Sequence, residues 1–386
     1  MKKIKIAIDA SRNRSGGAKI HLIGILKDIN YNDHNIDEVH VWSYKELLDQ
    51  LPNFSWLKKH SPFNSKATLI KELFWQNRKL PSILKKLDID ILLNTDAGSI
   101  CYFKPNITMS RDMLSYEKGE MKRFGISLAR LRLFILKYIQ KKSLLNADGA
   151  IFLTKYASSV IQKFTGEIKN YKIIHHGISE DFRINKKILT KDASQKLKCI
   201  YVSNVTFYKH QWNVVKAFSH LKKYNIELIL AGSLGSGKPK KMLDKAIAEV
   251  DSKKEFISTT DQINHQEIPS LLNDSDIFIF ASSCENMPNT LVEAMAAGMP
   301  IVCSNRGPMP EILRDGGLYF DPENIDSIYK AIYALVQDRN LRMSLSTKSK
   351  NYSKEYSWAK CSKKTFNYLE EISNKFQNEK ELSKYV

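Results

Sequence analysis

Cysteine is scarce in this chain and is not arranged in pairs. The five cysteines among the 386 residues are Cys101, Cys199, Cys284, Cys303 and Cys361. Their odd number, their scatter and the lack of a Cys-x-x-Cys pair argue against a disulfide framework and against a zinc site. Because several lie within apolar runs, we expect them to pack as small hydrophobic side chains.

Long apolar runs are also missing. No segment offers the roughly 20 consecutive apolar residues that a membrane-spanning helix needs. The apolar run near the N-terminus stops at Asp9, too early for the hydrophobic region of a signal peptide. There is no internal repeat and no low-complexity segment. These absences predict a globular protein of the cytoplasm.

Acidic residues are outnumbered by basic ones. The 60 Lys and Arg residues exceed the 41 Asp and Glu residues, which leaves a net charge of +19. Such a charge predicts an anionic partner, for which nucleic acid, an anionic membrane surface and phosphorylated substrates are all candidates. It carries no information about the fold.

The hydrophobic pattern alternates between strands and helices in two stretches of the chain. Strands are predicted at 5–8, 39–42, 89–93, 107–109, 150–153 and 172–174, and again at 199–202, 227–231, 256–258, 277–281, 301–304 and 318–320. Helical periodicity falls between them, and its longest stretch is 116–145. This alternation predicts two doubly wound α/β domains with parallel sheets, at 1–184 and 197–352, joined by a polar linker at 184–196.

Residues 282–302 form the segment richest in functional signals. A buried strand runs into Pro288 and Asn289, which are typical of a helix start, with Asn289 as the cap. A strand that feeds a helix N-terminus makes an anion site, because free N–H groups and the positive end of the helix dipole point at the ligand.

Two carboxylates flank this turn. Glu285 lies in the loop and Glu293 about one turn inside the helix, with seven residues between them. Each can accept hydrogen bonds from sugar or ribose hydroxyls. Taken alone, the spacing is better explained by a solvated loop residue at Glu285 and a helix-start charge at Glu293, because such pairs arise freely by chance.

The surrounding residues resemble a known family. Residues 282–322 are similar to the donor-binding segment of the family 4 glycosyltransferases, a retaining family with the GT-B fold. The similar elements are Glu285-(seven residues)-Glu293, Ala297-Gly298-Met299-Pro300-Ile301-Val302, Gly307-Pro308-Met309-Pro310-Glu311-Ile312 and Gly317-Leu318-Tyr319-Phe320-Asp321-Pro322. The resemblance implies a catalytic contact of Glu285 with the donor sugar, a contact of Glu293 with the ribose, and donor contacts of Ser283, Asn289 and Thr290.

Further segments extend the resemblance over most of the chain. Gly16-Gly17-Ala18 looks like the family's first glycine loop, where glycine lets the backbone approach the donor closely. Residues 151–154 and 176–178 also look like family segments. Gly232, in the turn after the second strand of the C-terminal domain, is expected to line the donor site.

Residues 201–209 are similar to the family pattern Gly-Arg, four residues, then Lys, whose two cations pair with the donor diphosphate. Lys209 is kept, but Asn204 stands where Arg is expected. Asn204 can still donate a hydrogen bond but brings no charge. The resemblance therefore implies that Lys209 and the helix N-terminus carry most of the catalytic stabilisation of the leaving diphosphate.

The sequence Ser110-Arg111-Asp112-Met113 follows a predicted strand in the first half. Many family members have a His-Asp pair there, and the resemblance assigns Asp112 a catalytic place. Arg111 replaces the His and cannot serve as a base, because guanidinium stays protonated. It is expected to bind an anionic acceptor or the leaving phosphate, and a structural salt bridge is an equal alternative.

Three motifs are interpreted as decoys. Residues 232–239 nearly match a P-loop, but Pro239 occupies the place of the Mg²⁺-binding Ser or Thr. The Asp-x-Asp pairs at 88–90 and 274–276 each precede a buried strand, where turn aspartates are routine. Residues 175 and 176 are both His. Neighbouring side chains on an extended chain point to opposite faces, so these two are poorly placed to bind one metal ion together. We therefore expect no metal and no cofactor.

Residues 118–145 are basic and carry an apolar stripe at helical spacing. One interpretation is a helix packed on the core with a solvated basic face. The other is an interfacial helix that rests on anionic lipid. The stripe favours the former and the cations favour the latter.

Together these features predict an α/β protein of GT-B type, with two Rossmann-like domains facing a cleft. By resemblance, residues 353–386 are helices that cross back to the first domain. The predicted function is metal-independent, retaining hexosyl transfer from a UDP- or GDP-sugar to a glycan or lipid-linked acceptor, in surface polysaccharide or glycolipid synthesis. The expected location is the cytoplasm, with peripheral association at the inner face of an anionic membrane. The alternatives are a sugar-nucleotide epimerase on the same fold and a nucleic-acid-binding protein, although no nucleic-acid-binding module is recognisable.

Overall fold

The computed structural model describes residues 3–14, 16–63, 68–183 and 195–383. The chain forms two compact units, called unit 1 and unit 2 here. Unit 1 comprises Met1–Gly177 and Ser357–Val386, and unit 2 comprises Ile178–Tyr356. Unit 2 is therefore continuous in sequence, whereas unit 1 is assembled from both ends of the chain.

Unit 1 is built on a seven-stranded parallel sheet. Its strands are β1 (Ile4–Asp9), β2 (Ile36–Trp42), β3 (Leu57–His60), β4 (Ile91–Asn94), β5 (Asn106–Ser110), β6 (Gly149–Phe152) and β7 (Tyr171–Ile173). Its helices before residue 178 are α1 (Gly16–Lys27), α2 (Lys45–Leu48), α3 (Leu69–Phe74), α4 (Leu80–Lys86), α5 (Leu128–Leu145) and α6 (Lys155–Thr165). The strand order β3-β2-β1-β4-β5-β6-β7 reverses direction between β1 and β4, the point at which such sheets bind ligands.

Unit 2 repeats this plan with six parallel strands. They are β8 (Leu197–Val202), β9 (Ile226–Ala231), β10 (Ile257–Thr260), β11 (Ile277–Phe280), β12 (Ile301–Ser304) and β13 (Leu318–Phe320). The helices are α7 (Gln211–Phe218), α8 (Gly237–Val250), α9 (Ile268–Asn273), α10 (Asn289–Ala296), α11 (Met309–Leu313), α12 (Ile325–Gln337) and α13 (Arg339–Ser353). The order β10-β9-β8-β11-β12-β13 reverses between β8 and β11.

The last helix, α14 (Trp358–Leu382), returns to unit 1 and packs on α1. The indole of Trp358 lies directly over Gly24, where a side chain would collide with it. Ser362 Oγ donates a hydrogen bond of 2.7 Å to the carbonyl oxygen of Ile25. A glycine inside α1 thus creates the space that seats the start of α14.

Aspartates at the starts of buried strands hold neighbouring strands together in both units. Asp90 Oδ2 accepts a hydrogen bond of 2.8 Å from the backbone N–H of Lys5. Asp276 Oδ2 makes the equivalent bond of 2.8 Å with the N–H of Lys198. This confirms the structural interpretation of the two Asp-x-Asp pairs, because the second carboxylate of each is used within a sheet.

Several predicted elements differ from the structure. The helix predicted at 116–145 begins only at Leu128, because Gly119 and Gly125 have positive φ angles of 90° and 57° that interrupt it. Strand β3 was not predicted. The helix α10 begins at Asn289 and its cap position is Pro288, so the prediction of Asn289 as a side-chain cap is wrong. Of the predicted linker at 184–196, residues 184–194 lie outside the described residues.

The interpretation of residues 118–145 as a core-packed helix is also wrong. Within α5 only Gln140 and Leu144 are buried. Large apolar side chains are exposed over its length, among them Leu128, Leu131, Phe134, Ile135 and Tyr138. The stretch 128–145 is helical, as the periodicity predicted. Its apolar face, however, is much more exposed among the described residues than the face of a helix packed on the core would be.

Candidate active site

The polar side chains of unit 2 converge at the carboxyl ends of β8 and β11. These are the adjacent strands between which the sheet order reverses. The loop after β8 carries Lys209, and the loop after β11 carries Glu285. A doubly wound sheet binds its ligand in the crevice between two such loops, because the following helices diverge to opposite faces of the sheet.

Lys209 and Glu285 form an ion pair across this crevice. The Nζ of Lys209 contacts the Oε1 of Glu285, and their side chains are 13% and 15% exposed. Burial opposes the charge of Lys209, but the Glu285 carboxylate, with a smaller effect from Tyr208, raises the pKa of this lysine above its ordinary value. The Nζ also lies 4.9 Å from the ring centroid of Phe280. The site therefore holds a fixed cation next to a fixed anion, both close to water.

Hydrogen bonds join the two loops so that this pair is held in place. The N–H of Ser283 donates to the carbonyl oxygen of Tyr208 over 2.8 Å. The Oγ of Ser283 lies 2.9 Å from the Nε2 of His210, and the hydroxyl of Tyr201 donates to the carbonyl oxygen of Lys209 over 2.7 Å. His210 adopts the left-handed conformation with φ 49°, which turns the chain from the loop into α7. Ser283 therefore fixes the loop rather than presenting a free hydroxyl.

Glu293 lies in α10 and is buried. Its Oε1 accepts a hydrogen bond of 2.8 Å from the Nε2 of His265, which follows β10. This bond to Glu293 raises the pKa of His265 above its ordinary value, although burial acts in the opposite direction. The Oε2 of Glu293 is buried and has no hydrogen-bond partner among the described residues. One carboxylate oxygen is thus positioned by histidine while the other remains available to a hydroxyl.

The loops after β8 and β9 meet at Asn204 and Gly232. The Oδ1 of Asn204 accepts a hydrogen bond of 3.2 Å from the N–H of Ser233. Gly232 has φ +133°, and a Cβ there would lie 2.6 Å from the carbonyl oxygen of Ser203. Only glycine fits this close approach of two loops. Asn204 therefore braces the glycine turn in the position where the resemblance leads one to expect a phosphate-binding cation.

The start of α10 completes this edge of unit 2. Asn289 and Thr290 are its first two residues and are half-buried. Their backbone N–H groups belong to the helix end that carries the positive dipole. Gly307, after β12, has φ +61°, and a Cβ there would lie 3.9 Å from the N of Glu285.

In unit 1, Arg111 and Asp112 follow β5. The Nη2 of Arg111 donates a hydrogen bond of 2.6 Å to the Oδ1 of Asn13. The Oδ1 of Asp112 accepts from the N–H of Leu114 over 3.0 Å, and its Oδ2 accepts from Gln140 over 3.3 Å. Burial raises the pKa of Asp112. Both carboxylate oxygens are thus used within unit 1, which favours a positioning role for this residue.

The glycine loop of unit 1 is also in place at the carboxyl end of its first strand. Gly16 and Gly17 are the first two residues of α1, and Gly16 is exposed. A Cβ at Gly16 would meet no atom within 4 Å. Close packing within the described residues therefore does not require glycine there, and the space is free for a ligand.

The predicted residues thus fall into two groups. Lys209, Glu285 and Ser283 are joined by direct contacts or shared loops in unit 2, whereas the glycine loop, Arg111 and Asp112 belong to unit 1. Sequence reasoning missed His210 and His265, which position Ser283 and Glu293. The sequence signal for His265 was weak, because its only distinction is that it lies just after a strand.

Comparison with known proteins decides the family. Residues 181–352 match the family described as glycosyl transferases group 1. Unit 2 is a group 1 glycosyltransferase domain. The matched range contains every residue of the Lys209–Glu285 and His265–Glu293 pairs, so the family inferred from residues 282–322 is confirmed.

Solved structures show that the whole chain has the GT-B glycosyltransferase fold. Sucrose-phosphate synthase from Thermosynechococcus elongatus superimposes with a TM-score of 0.73 at 15% identity, over 100% of both chains. Anabaena HepE in complex with UDP superimposes with a TM-score of 0.72 at 17% identity, over 96% of this chain and 100% of HepE. These TM-scores establish the fold, and the sequence-based prediction of that fold is confirmed.

Among curated relatives, the O-antigen chain mannosyltransferase B of Escherichia coli is 29% identical over 121 residues, 31% of this chain and 32% of the relative. The match to each of two Methanocaldococcus jannaschii glycosyltransferases spans 64% of the relative. The chain therefore spans less than two thirds of the length of these relatives. None of these matches supports the epimerase or nucleic-acid-binding alternatives.

The described residues contain neither a helix that could span a membrane nor a group of side chains that could hold a metal ion. Among the described helices, none combines the length and the hydrophobicity that crossing a bilayer requires. Within the same residues, no three His, Cys, Asp or Glu side chains are grouped so that they could hold a metal ion. All five cysteines are buried and carry free thiols.

Proposed function

We propose that this glycosyltransferase moves a hexose from a nucleoside diphosphate sugar to an acceptor hydroxyl, with retention of the anomeric configuration. The observation that carries the proposal is the Lys209–Glu285 ion pair, which lies at the reversal point of the unit 2 sheet. A diphosphate needs the cation and a sugar needs the hydrogen-bond acceptor. The pair supplies both from adjacent loops.

The proposed reaction begins with an exchange of partners. When the donor binds, its diphosphate takes over Lys209, and Glu285 is released to accept hydrogen bonds from sugar hydroxyls. The Oε2 of Glu293, buried and without a partner among the described residues, accepts a hydrogen bond from a ribose hydroxyl. The α10 N-terminus contributes further positive potential.

Transfer then breaks the bond between the anomeric carbon and the diphosphate oxygen. The acceptor hydroxyl oxygen forms the new bond to that carbon. The diphosphate leaves with the electron pair of the broken bond, and one of its oxygens takes the proton of the acceptor hydroxyl. Negative charge grows on the diphosphate, so preorganised donors there stabilise the transition state more than the ground state. Lys209 is the principal group in this role.

The donor and pathway are proposed at the level of class. We infer a UDP- or GDP-hexose as donor, which is supported by the named mannosyltransferase relative and by the UDP complex of a protein with the same fold. The acceptor is inferred to be a glycan or lipid-linked glycan of surface polysaccharide, lipopolysaccharide or glycolipid synthesis. We infer that the reaction takes place in the cytoplasm.

We propose that transfer needs no metal ion. Lys209 and backbone N–H groups supply the positive charge that a divalent cation supplies elsewhere. Activity should survive a chelator, and complete loss that Mn²⁺ or Mg²⁺ restores would reject it.

We further propose that the inner, anionic face of a membrane binds α5 of unit 1. The helix combines exposed apolar residues with Arg130, Arg132 and Lys142. Each Lys or Arg near an anionic surface contributes about 1 kcal/mol, which salt screens. Lys137 is different, because its Nζ lies 3.9 Å from the ring centroid of Phe164 and helps to pack α5 on α6.

Co-sedimentation with liposomes tests this membrane proposal. Binding should need anionic lipid and should weaken with added salt. Changing Arg130 and Lys142 to Gln should weaken it, whereas the matched changes of Lys241 and Lys245, exposed on α8 of unit 2, should have little effect. Equal binding to neutral and anionic liposomes would reject a role for the charges.

A thermal-shift screen against nucleoside diphosphates and their sugars tests the central proposal. A ligand that binds the native state raises the apparent melting temperature. A shift with UDP or GDP that disappears in Lys209→Met is expected. Release of nucleoside diphosphate from the matching sugar nucleotide should then require an acceptor. Conversion of the free sugar nucleotide without an acceptor would instead indicate an epimerase.

A further inference from the structure

Three loops of unit 1 meet at the carboxyl edge of its sheet. They follow β1, β4 and β5, which are neighbours in the sheet, and β1 and β4 are the strands between which the strand order reverses. The loops carry Arg12, Asp96 and Arg111. A doubly wound sheet binds its ligand at this kind of reversal point. These charged side chains are therefore placed to meet the ligand of unit 1.

Asn13 joins all three loops. Its Oδ1 accepts a hydrogen bond of 2.6 Å from the Nη2 of Arg111 and lies 2.9 Å from the Oγ1 of Thr95. Its Nδ2 donates to the carbonyl oxygen of Ala18, in the first turn of α1, over 3.3 Å. Asn13 and Thr95 are both buried. The position of the Arg111 guanidinium is therefore fixed by the protein itself.

The Arg111 guanidinium is only partly satisfied by its surroundings. Its Nη1 is buried and has no hydrogen-bond partner among the described residues. Burial lowers the pKa of Arg111 to about 10, an effect that Asp96 opposes and Arg12 reinforces. The side chain thus keeps its charge at neutral pH while one buried donor is left unmet. Such a donor is unfavourable, and an acceptor atom on a ligand would remove that cost.

Arg12 supplies a second guanidinium at this edge of the sheet. Its Nη1 donates a hydrogen bond of 2.5 Å to the carbonyl oxygen of Gly98. A Cβ at Gly98 would lie 2.5 Å from that nitrogen and 2.9 Å from the Oδ1 of Asp96, so glycine lets the arginine lie against bare backbone. A Cβ at Gly16, by contrast, would meet no atom within 4 Å. The two guanidinium groups thus lie near the open start of α1, where a ligand has room.

We propose that the acceptor sugar of this enzyme is an acidic sugar, and that Arg111 and Arg12 bind its carboxylate. The inference rests on the proposed glycosyl transfer and names the chemical class of its acceptor. A carboxylate accepts two parallel N–H groups from one guanidinium, a geometry that a single hydroxyl cannot offer. Because the carboxylate and the attacking hydroxyl belong to the same ring, binding the one positions the other. Arg111 and Arg12 thus determine which acceptor is used.

Neutral and doubly charged groups fit these surroundings less well. A sugar hydroxyl would pair with the Nη1 of Arg111 but would leave its positive charge without a counter-charge. Asp96 and the adjoining Asp112 are carboxylates, so they repel a phosphate dianion about twice as strongly as a group with one negative charge. Arg14, in the same loop as Arg12, is already paired with Glu72 and adds no further cation. A single carboxylate gains the charge-assisted hydrogen bonds with the smaller repulsion.

Titration of the full-length protein with methyl glycosides, followed by NMR, tests the proposal. The probes are the methyl glycosides of glucuronic, galacturonic and mannuronic acid, and each is compared with its uronamide. The amide keeps the shape of the carboxylate and removes only its charge. At least one hexuronide should bind about tenfold more tightly than its amide, because its hydrogen bonds to guanidinium are charge-assisted on both sides. The proposal is wrong if no hexuronide exceeds its amide, or if methyl hexoside 6-phosphates bind more tightly than every hexuronide.

Variants of unit 1 locate the carboxylate. Arg111→Gln should lower the affinity for the hexuronide to that for the amide, while the affinity for the amide stays unchanged and shows that the site is folded. Asn13→Asp keeps the arginine but places a carboxylate against it, so it should also remove the preference. The matched control Arg78→Gln, at an exposed arginine between α3 and α4, should keep it. An unchanged preference in Arg111→Gln, or amide binding that is lost there and not restored in Arg111→Lys, would overturn the proposal.

Nucleotide binding separates this inference from the proposed function. Arg111→Gln should keep the thermal shift with UDP or GDP, and loss of that shift would assign the arginine to the leaving diphosphate instead. A preference for UDP-glucuronate over UDP-glucose that disappears in Arg111→Gln would assign the carboxylate to the donor and overturn the acceptor class. If the wild type binds nucleotide but no hexuronide, the acceptor class is wrong and the proposed function stands. If it binds a hexuronide through Arg111 but no nucleotide, the proposed function fails instead.

Discussion

Lys209 and Glu285 neutralise each other in the structure, and this has consequences for catalysis. A half-buried cation that is already paired gains little from a new anion unless the old partner moves away. The carboxylate must therefore lose its lysine when a diphosphate arrives. Under the proposed function, binding of the donor and release of the Glu285 carboxylate for its proposed catalytic role are then one event.

Glu285→Ala should therefore separate binding from turnover. Lys209 loses its competing carboxylate, so binding of bare nucleoside diphosphate should be unchanged or tighter. Turnover with the sugar donor should fall by at least about tenfold, because the contact with the sugar is lost. Calorimetry with nucleoside diphosphate and steady-state kinetics measure the two effects. The control Glu249→Ala, on the exposed side of α8, should change neither, and full activity of Glu285→Ala would reject its assignment.

Glu293 should behave differently, because its carboxylate is inferred to bind the ribose of donor and product alike. Glu293→Ala should weaken the bare diphosphate and the sugar donor to a similar degree. Isothermal titration with both ligands compares these losses. A variant that keeps wild-type affinity for both would show that Glu293 serves only to hold His265.

The His265–Glu293 bond should make stability depend on pH. Since Glu293 raises the pKa of His265, the stabilisation is fully present below the unfolded value of about 6.5 and is lost as pH rises through the raised pKa. His265→Gln should thus lower the melting temperature more at pH 5.5 than at pH 8.5. The effect is below about 1 kcal/mol, because His265 is partly exposed. In a Glu293→Gln background the pH-dependent part should vanish.

At the level of residues, sequence alone identified the carboxylates and the lysine but not their partners. Glu285, Glu293 and Lys209 occupy fixed places in a motif, so they could be predicted. His265 and His210 act through contacts across 28 and 73 residues of chain, which no local pattern encodes. The hydrogen bond between Asn204 and the glycine turn could not be predicted either, because it depends on the distance between two loops.

At the level of elements, Gly24 decides how α14 joins unit 1. A Cβ at this position would lie 2.2 Å from Cδ2 of Trp358. Glycine inside a helix costs about 1 kcal/mol relative to alanine, so the position is retained for packing and against helix propensity. The contact between α1 and α14 is therefore specific to an indole lying on bare backbone.

Gly24→Ala should destabilise the protein despite its better helix propensity. Overpacking costs about 1–3 kcal/mol, which exceeds the propensity gain when the ring cannot move. Thermal unfolding measures this, with Gly16→Ala at the open start of the same helix as the control. The cost should shrink when Trp358 is also changed to Leu. Equal melting temperatures of Gly24→Ala and wild type would show that α14 adjusts freely.

Strands were predicted more accurately than helices in this chain. Buried parallel strands read as short apolar runs, and eleven of the twelve predicted strands agree with the structure within one or two residues at each end. The exception is β2, which begins three residues earlier than predicted. The start of α5 could not be fixed, because the apolar spacing continues through Gly119 and Gly125 while the backbone turns left-handed there. Periodicity also predicts which face of a helix is apolar without revealing what covers that face. For α5 the spacing allowed either a core-packed or an interfacial helix, and the core-packed interpretation was wrong.

At the level of the whole molecule, the two units differ in how the chain builds them. Unit 2 is a single continuous segment that contains the Lys209–Glu285 site, whereas unit 1 needs α14 from the far end of the chain. The buried residues Trp358, Phe366 and Leu369 of this helix all pack within unit 1. Loss of the C-terminal helix should therefore destabilise unit 1, which contains the N-terminal part of the sequence, before it affects unit 2.

Truncation after Tyr356 tests this arrangement. Removal of α14 exposes the surface of α1 and of the unit 1 sheet, so the unfolding transition of unit 1 should move to lower temperature or disappear. The transition of unit 2 should persist and should still rise with added UDP or GDP, because ligand stabilises only the unit that binds it. Truncation after Asn378 removes only the exposed end of α14 and should leave both transitions in place. Loss of the nucleotide-dependent transition in the shorter chain would show that unit 2 cannot hold its site without unit 1, and that the continuous segment 178–356 is not an independent donor-binding unit.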